Sequence, residues 1–116
     1  MIEVIEKHLS GFCPMTATDK WQVAYITHSD AYGELKELKR HMTTDEVMIP
    51  IRGNATLYTY ENGRISAIEM KRDVLYNIKR ATWHHLKVSK DALLIVVEDG
   101  DIKKDSTERM TVNADS

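Results

Sequence analysis

Short apolar runs separated by turn residues recur along most of the chain. The runs are rich in β-branched and aromatic side chains, which favour strands over helices. They occupy residues 21–27, 47–51, 55–60, 65–70, 74–78, 86–88 and 92–97. Asn62-Gly63, between the third and fourth runs, is the strongest short signal for a β-hairpin. Strands at such short and regular intervals predict an all-β sandwich or barrel.

Two segments depart from this alternation. Leu35, Leu38 and Met42 repeat at roughly helical spacing, so residues 32–39 are compatible with a short helical turn. The run 92–97 is apolar at every position. Such a strand is covered on both faces, which predicts packing between sheets or in a homodimer.

The composition is that of one ordinary globular domain spanning residues 1–116. Hydrophobic residues make up 42% and charged residues 29% of the chain, so a core can form without disulfides. We expect this core at about residues 20–98. The tail, residues 99–116, is polar and charged, and we expect it to be partly disordered.

Charge, cysteine count and hydropathy narrow the classes of function. The net charge is −2, whereas a protein that binds mainly nucleic acid needs a basic surface. The single cysteine, Cys13, cannot form an internal disulfide, so the chain needs no oxidising compartment. No apolar stretch reaches the length that spans a bilayer. We therefore expect a cytoplasmic protein whose partner is a small molecule rather than nucleic acid or a membrane.

Histidine and glutamate residues carry the candidate chemistry. His41 and Glu46 project to one side if the segment around them forms a strand, a turn and another strand. A later strand can bring His84 or His85 beside them. Two imidazoles and one carboxylate form the ligand set of the facial triad, which suits iron and also zinc or manganese.

The spacing around these residues resembles the first cupin motif, which is glycine, five residues, His-x-His, three or four residues, glutamate, six residues and glycine. Gly33, His41, Glu46 and Gly53 stand at the matching positions, and Lys39 replaces the first histidine. The resemblance implies an all-β, jelly-roll barrel (a double-stranded β-helix).

A second stretch is similar to the second cupin motif. Residues 73–78 followed by Thr82-Trp83-His84 match its pattern. Arg72 stands where glycine is usual, and Val88 replaces the usual asparagine. Together the two motifs cover residues 33–98.

The resemblance also implies a divalent metal, iron, nickel, manganese or zinc, on His41, Glu46 and His84. Lys39 is the important departure, because a protonated lysine has no lone pair and cannot bind a metal. Lys39 can instead pair with Glu46 and take the place of the metal's charge. The function is then either a metal-dependent enzyme acting on a small polar or anionic metabolite, or a metal-free binding or structural dimerisation domain.

Further residues are candidates for the site. His85 and Tyr76 join His41 and Glu46 as catalytic candidates. Alternation along a strand places His85 on the face opposite His84, where we expect it to be exposed, an edge residue or an interface contact. The candidates for ligand binding are Lys39, Arg52, Tyr76 and Trp83. The plainer alternatives are that the aromatic residues are core or interface side chains and that Arg52 is a solvated strand end.

Overall fold

The computed structural model describes residues 1–100 and 107–112, and the regular secondary structure in this part of the chain is almost entirely β. They form ten strands and one short 3-10 turn at Asp30–Tyr32. The strands are β1 Phe12–Ala17, β2 Gln22–Ile26, β3 Glu37–His41, β4 Glu46–Arg52, β5 Ala55–Glu61, β6 Arg64–Glu69, β7 Tyr76–Ile78, β8 Trp83–Val88, β9 Leu93–Glu98 and β10 Thr107–Thr111. In this part of the chain no helix is long and apolar enough to cross a membrane.

The strands form two five-stranded antiparallel sheets. Sheet I has the order β1-β2-β9-β4-β7, and sheet II has the order β10-β3-β8-β5-β6. Neighbouring strands in each sheet are mostly distant in sequence, as in a jelly roll. This confirms the all-β, cupin-type barrel that the sequence predicts.

The core lies between the inner faces of the two sheets. On sheet I, Ala24, Met48 and Val96 occupy one row across three strands, and all are buried. On sheet II, Leu57 lies opposite Leu86 and Ala55 opposite Val88, again on the buried face. Burial of these apolar side chains is the main force that holds the sheets together.

Two turns explain the glycine signals of the sequence. Asn62 and Gly63 have φ of 53° and 76°, as a type I′ hairpin between β5 and β6 requires. Gly53 has φ of 75°, and a Cβ on it would lie 2.6 Å from Cα of Ala92. A side chain at position 53 would therefore displace the backbone before β9.

The structure corrects the sequence interpretation in three segments. The helical turn is shorter than predicted and lies earlier, at Asp30–Tyr32. Residues 32–39 lead into β3 instead. They are not helical there because β3 forms hydrogen bonds with β10 on one side and β8 on the other. β1 was not predicted. The polar tail contains β10, which pairs along the whole of β3. Its other residues, 101–106 and 113–116, lie outside the described part of the chain.

The two-sided apolar run forms β9, which lies in the middle of sheet I between β2 and β4. Leu94 and Val96 point into the core and are fully buried. Leu93, Ile95 and Val97 lie on the outer face and are half-buried. The inner face of β9 is therefore covered by the core, whereas its outer face is apolar but still partly accessible.

Candidate metal and ligand site

Three polar side chains lie in one row across the inner face of sheet I. Gln22, Glu98 and Glu46 are direct cross-strand neighbours on β2, β9 and β4. All three are buried. Their strands continue with apolar residues at the next inward positions, so the polar row closes one end of the apolar core.

Sheet II supplies the basic partners of this row. Lys39 on β3 is the cross-strand neighbour of His84 on β8, and this is the single register position at which the two strands pair. His41 follows two residues after Lys39 and therefore shares its face of the sheet. We call these residues of the two sheets the polar end of the barrel: Gln22, Lys39, His41, Glu46, His84 and Glu98.

The two imidazoles converge on one carboxylate. His41 Nε2 lies 3.5 Å from one oxygen of Glu46, and His84 Nε2 lies 3.6 Å from the other. The ring centroids of the two histidines are 5.7 Å apart. One ligand atom from each of the three residues falls within 4.8 Å of the others. The structure thus brings together the three residues that the sequence motif selects.

The opposite nitrogen of each ring is already occupied. His84 Nδ1 lies 2.8 Å from the carbonyl oxygen of Thr82, and His41 Nδ1 lies 3.1 Å from the hydroxyl of Thr107. A carbonyl oxygen only accepts, so His84 Nδ1 donates. When His84 is neutral, the lone pair of its Nε2 therefore points toward Glu46. A lone pair and a carboxylate repel each other, so a cation between them would stabilise this arrangement.

This geometry fits a divalent metal. The two N···O distances exceed the 2.7–3.2 Å of ordinary hydrogen bonds. Two ligand atoms that are each roughly 2.1 Å from one ion, at a tetrahedral angle, are about 3.4 Å apart, close to each N···O distance. The two distances end on different oxygens of Glu46, and the three ligand atoms lie within 4.8 Å of one another, so the side chains must draw together to hold one ion. Two imidazoles and a carboxylate with fixed outer hydrogen bonds form a donor set that suits iron, nickel, manganese or zinc.

The two buried carboxyl groups carry different charges. Burial opposes ionisation of Glu46, but the two facing imidazoles, His41 and His84, which favour the carboxylate when they carry a proton on Nε2, outweigh burial and hold the pKa of Glu46 well below its usual range. Burial raises the pKa of Glu98 to about 8, and the adjacent Glu46 carboxylate acts in the same direction. Glu98 is therefore protonated at neutral pH while Glu46 is ionised, because two adjacent buried carboxylates repel each other.

Glu98 has one oxygen available inside the barrel. Its Oε1 accepts a hydrogen bond of 3.3 Å from Gln22 Nε2. Its Oε2 is buried and has no hydrogen-bond partner within the described part of the protein. Glu46 is the neighbouring carboxyl group with which Glu98 can share a proton. A buried, protonated carboxyl group of this kind can donate a hydrogen bond to a ligand or to the neighbouring carboxylate.

A cavity of about 220 Å³ opens onto these groups. This volume is smaller than the roughly 300–1,000 Å³ of drug-sized ligand sites, so it suits a small metabolite. Tyr32 lies on its wall, where burial raises the pKa of the phenol and the Glu46 and Glu98 carboxyls add to the effect. The rest of the wall consists of His85 and of apolar residues, namely Phe12, Ile26, Ala31, Met48 and Leu86.

Lys39 also lines the cavity, and its role in ligand binding stays a prediction. The ion pair between Lys39 and Glu46 that the sequence suggested is not formed within the described residues, because the Glu46 carboxylate lies between the two imidazoles instead. Lys39 therefore places a cation on the wall without neutralising Glu46.

The structure distinguishes the two adjacent histidines. His84 faces Glu46, whereas His85 lies opposite Tyr58 in the register, with the rings 6.1 Å apart. The expectation that His85 is exposed is wrong: it is buried, and its Nε2 donates to the carbonyl of Gly33 at 2.8 Å. The loop carrying Gly33 covers this side of β8. Burial lowers the pKa of His85, partly offset by the Gly33 hydrogen bond.

Three sequence candidates lie away from the imidazole–carboxylate cluster. Trp83 is on the face opposite His84 and packs under the Arg40 guanidinium, 4.4 Å from the ring centroid. Tyr76 packs against the core, and its hydroxyl accepts from Lys71 N at 2.9 Å. Arg52 donates to the Asp91 carbonyl at the far end of β4. The face of the strand and the end of the barrel at which each residue lies keep them away from the cavity, and sequence spacing defines neither.

Four residues of the site were not selected from the sequence: Gln22, Tyr32, Glu98 and Thr107. Glu98 had a usable signal, since it continues the inward series Leu94 and Val96 with a polar residue. The contribution of Thr107 depends on pairing between β10 and β3, which no local pattern reveals.

No family model matches the chain, and no curated protein matches it by sequence. Several solved structures match it. A variant of Streptomyces Pac13 with uridine has a TM-score of 0.65 and 12% identity, over 97% of this chain and 90% of that chain. Pac13 is described as a nucleoside dehydratase.

Two further structures extend the likeness. A cupin-2 domain protein from Shewanella frigidimarina has a TM-score of 0.55 and 18% identity over 82% of this chain and 83% of that one. The WlaRB TDP-quinovose 3,4-ketoisomerase of Campylobacter jejuni has a TM-score of 0.56 and 23% identity over 68% of this chain and 61% of that one. At these identities the likeness shows the fold alone: the chain has the cupin fold.

Proposed function

We propose that this cupin-fold protein binds one divalent metal on His41, Glu46 and His84, with a small polar or anionic metabolite beside it in the cavity. One observation carries the proposal. Both imidazoles direct Nε2 at a single buried carboxylate, while both Nδ1 atoms are occupied by other partners. A buried cluster of this kind needs a compensating cation.

The residues around the cluster support an acid–base role. When bound, the metal would supply Lewis-acid polarisation of a ligand oxygen. Lys39 would hold an anionic group of the ligand, and Glu98 carries a proton at neutral pH that it can give to an adjacent oxygen. Pac13, a nucleoside dehydratase, and WlaRB, a TDP-quinovose 3,4-ketoisomerase, support the view that a barrel of this fold can house a reaction.

The position of Lys39 favours a second candidate function. Its cation lines the same cavity as Glu46, so an anionic metabolite could bind to Lys39 in a metal-free, non-catalytic site. The two candidates differ in what occupies the space between the imidazoles and Glu46: a metal ion in the first and protons in the second.

Metal binding is tested with the two adjacent histidines, which provide a matched pair of variants. We would dialyse the untagged protein against iron(II), nickel(II), manganese(II) or zinc(II) and measure bound metal by elemental mass spectrometry. The wild-type protein and His85→Gln should retain about one equivalent of one of these ions. His84→Ala should lose it, because His84 alone of the pair faces Glu46.

Circular dichroism and the unfolding transition show that each variant is folded before metal is measured. Equal metal retention by His84→Ala and His85→Gln would overturn the assignment of the site. Failure of all four metals to bind the wild-type protein would favour the metal-free candidate.

The role of Lys39 is tested with oxalate as a small dianionic probe. Lys39→Met should weaken oxalate binding, measured by calorimetry, while keeping metal binding equal or tighter, because a nearby cation is removed. Lys36→Met, on the segment before β3, is the control for loss of one positive charge. Unchanged oxalate affinity in Lys39→Met would remove Lys39 from the ligand site.

We also propose that two copies of the chain associate through the outer face of sheet I. Val47, Ile95 and Val97 are apolar and half-buried on that face. The segment preceding β1 adds exposed apolar residues, with Ile2 88% and Val4 78% exposed. Accessible apolar side chains that are grouped on one face favour association with a second apolar surface.

Light scattering coupled to size exclusion tests this association. The wild-type protein should have the mass of a dimer, and Val97→Lys that of a monomer. Ile65→Lys, a similar change on β6 of sheet II, should remain a dimer. A monomeric wild-type protein would contradict the proposal.

The proposed compartment is the cytoplasm. The support is the single cysteine, Cys13, which is buried as a free thiol and therefore forms no disulfide. Cell fractionation with an antibody against the untagged protein tests it, and recovery outside the cytoplasmic fraction would contradict it.

A further inference from the structure

The last described strand, β10, contacts the metal-ligand cluster through one side chain. The Thr107 hydroxyl lies 3.1 Å from Nδ1 of His41, its direct cross-strand neighbour. The two ligating histidines are therefore oriented in different ways. His84 is held by a backbone carbonyl two residues away, whereas His41 is held by a side chain 66 positions along the sequence.

β10 is fixed to β3 along its whole length. The register runs from Thr107 opposite His41 to Thr111 opposite Glu37. Arg40 pairs with Glu108 at 2.6 Å, and Arg109 pairs with Glu37. Beyond the strand, Val112 N donates to Lys36 O at 2.9 Å. These contacts set the position of the Thr107 hydroxyl relative to the imidazole.

On its other side, β3 has little support. It pairs with β8 at one position only, Lys39 opposite His84. The ladder partners of β3 in sheet II are therefore mainly on β10, while the His41 carbonyl also accepts a hydrogen bond of 2.7 Å from Ala81 N. Without β10, the orientation of the His41 ring would be less defined, because the backbone keeps its hydrogen bond from Ala81 N but Nδ1 loses the Thr107 hydroxyl.

We propose that Thr107 is a positioning residue for His41, and that β10 and the metal site are thereby coupled. In this role the hydroxyl, which can both donate and accept, accepts from Nδ1–H of His41 and so favours the tautomer in which Nε2 carries the lone pair directed at Glu46. The coupling to metal rests on the proposed function, whereas the effect on the tautomer does not.

Coupling has a reciprocal consequence. If an ordered β10 strengthens metal binding, then metal binding must stabilise β10 by the same free energy. Amide hydrogens of β10 should therefore exchange more slowly in the metal-loaded protein than in the metal-free protein. The β5–β6 hairpin, on the far edge of sheet II, provides an internal reference.

The test compares Thr107→Val, Thr107→Ser and the control Thr111→Val. Thr111 lies on the same strand and the same side as Thr107 but opposite Glu37. Nitrogen-15 NMR of the metal-free protein identifies the histidine tautomers directly. Competition with a chromogenic chelator measures the affinity for zinc. Thr107→Val should populate both tautomers of His41 and bind zinc 10–100-fold more weakly, the usual effect of losing an outer hydrogen bond.

Serine at position 107 should restore both readouts, and Thr111→Val should change neither. The proposal is overturned if Thr107→Val leaves the His41 tautomer unchanged. A changed tautomer in a protein that binds no zinc in any form would contradict the proposed metal site but uphold Thr107 as the residue that orients His41.

Discussion

The same strands build a charged cluster at one end of the barrel and an apolar core at the other. The inward positions of β2, β9 and β4 run in three successive rows. These rows are Gln22, Glu98 and Glu46, then Ala24, Val96 and Met48, and finally Ile26, Leu94 and Pro50. Only the first row is polar, so the alternation that forms the core also places the site.

The difference between the two ends is energetic. Each fully buried aliphatic side chain of the apolar end contributes roughly 1.5–3 kcal/mol to folding. The polar end costs free energy, because carboxyl and imidazole groups leave water and must be compensated by partners or a cation. We infer that the apolar rows hold the strands in place while the polar row is left available for binding. Substitutions at the two ends should therefore affect different properties.

The largest effect on stability should come from the apolar end. Leu94→Ala removes a side chain that is fully buried in the third row. It should lower the free energy of unfolding by about 2–5 kcal/mol, measured by urea titration of the metal-free protein. Metal affinity of the folded fraction should stay within a factor of two or so, since the cluster lies two rows away. A large loss of affinity would show that the two ends are not independent.

The largest effect on binding should come from the polar end. Glu46→Gln keeps the shape of the side chain but removes the charge that both imidazoles face. Metal affinity should fall by more than the 10–100-fold that loss of an outer hydrogen bond causes. Calorimetry with zinc checks this prediction, and Glu69→Gln on the exposed edge strand β6 is the control. Affinity within threefold of wild type would remove Glu46 from the site.

A smaller effect should distinguish the two carboxyl groups by pH. The pKa of Glu98 is raised from 4.5 to about 8 in the folded protein, so the folded state binds this proton more tightly than the unfolded state. The stability that the proton contributes is complete below about pH 4.5 and is lost as the pH rises through 8. The glutamine in Glu98→Gln cannot titrate. The free energy of unfolding of this variant should therefore fall less than that of the wild type as the pH rises through 8.

Thermal unfolding of chelator-treated protein between pH 5 and 9 measures this difference. At pH 9 the Tm of Glu98→Gln should exceed that of the wild type by an amount on the order of 4–8 °C, the shift that about 1 kcal/mol gives in a small domain. Gln22→Ala provides a comparison, because it removes the hydrogen bond to Glu98 without removing the titrating group. Parallel pH profiles for wild type and Glu98→Gln would contradict the assigned protonation.

Sequence patterns predicted the features that depend on local periodicity. Alternation and turn residues predicted the strands around 47–51 and 92–97 and the hairpin at Asn62-Gly63, because each is specified by neighbouring residues. Motif spacing selected His41, Glu46 and His84, which the fold brings within 4.8 Å.

Features that depend on pairing between distant strands were not predicted. β10 is polar, and its conformation follows from hydrogen bonds to β3 rather than from its own pattern. The contact between Glu46 and Glu98 requires the register of β4 and β9. The burial of His85 requires the Gly33 loop to cover β8, although alternation correctly placed this residue opposite His84.

The most direct test of the account is the metal content of the untagged wild-type protein as purified, measured by elemental mass spectrometry beside His41→Ala. We expect close to one equivalent of iron, nickel, manganese or zinc in the wild type and almost none in His41→Ala. Absence of metal from both, persisting after incubation with each ion, would contradict the central claim that the polar end is a metal site.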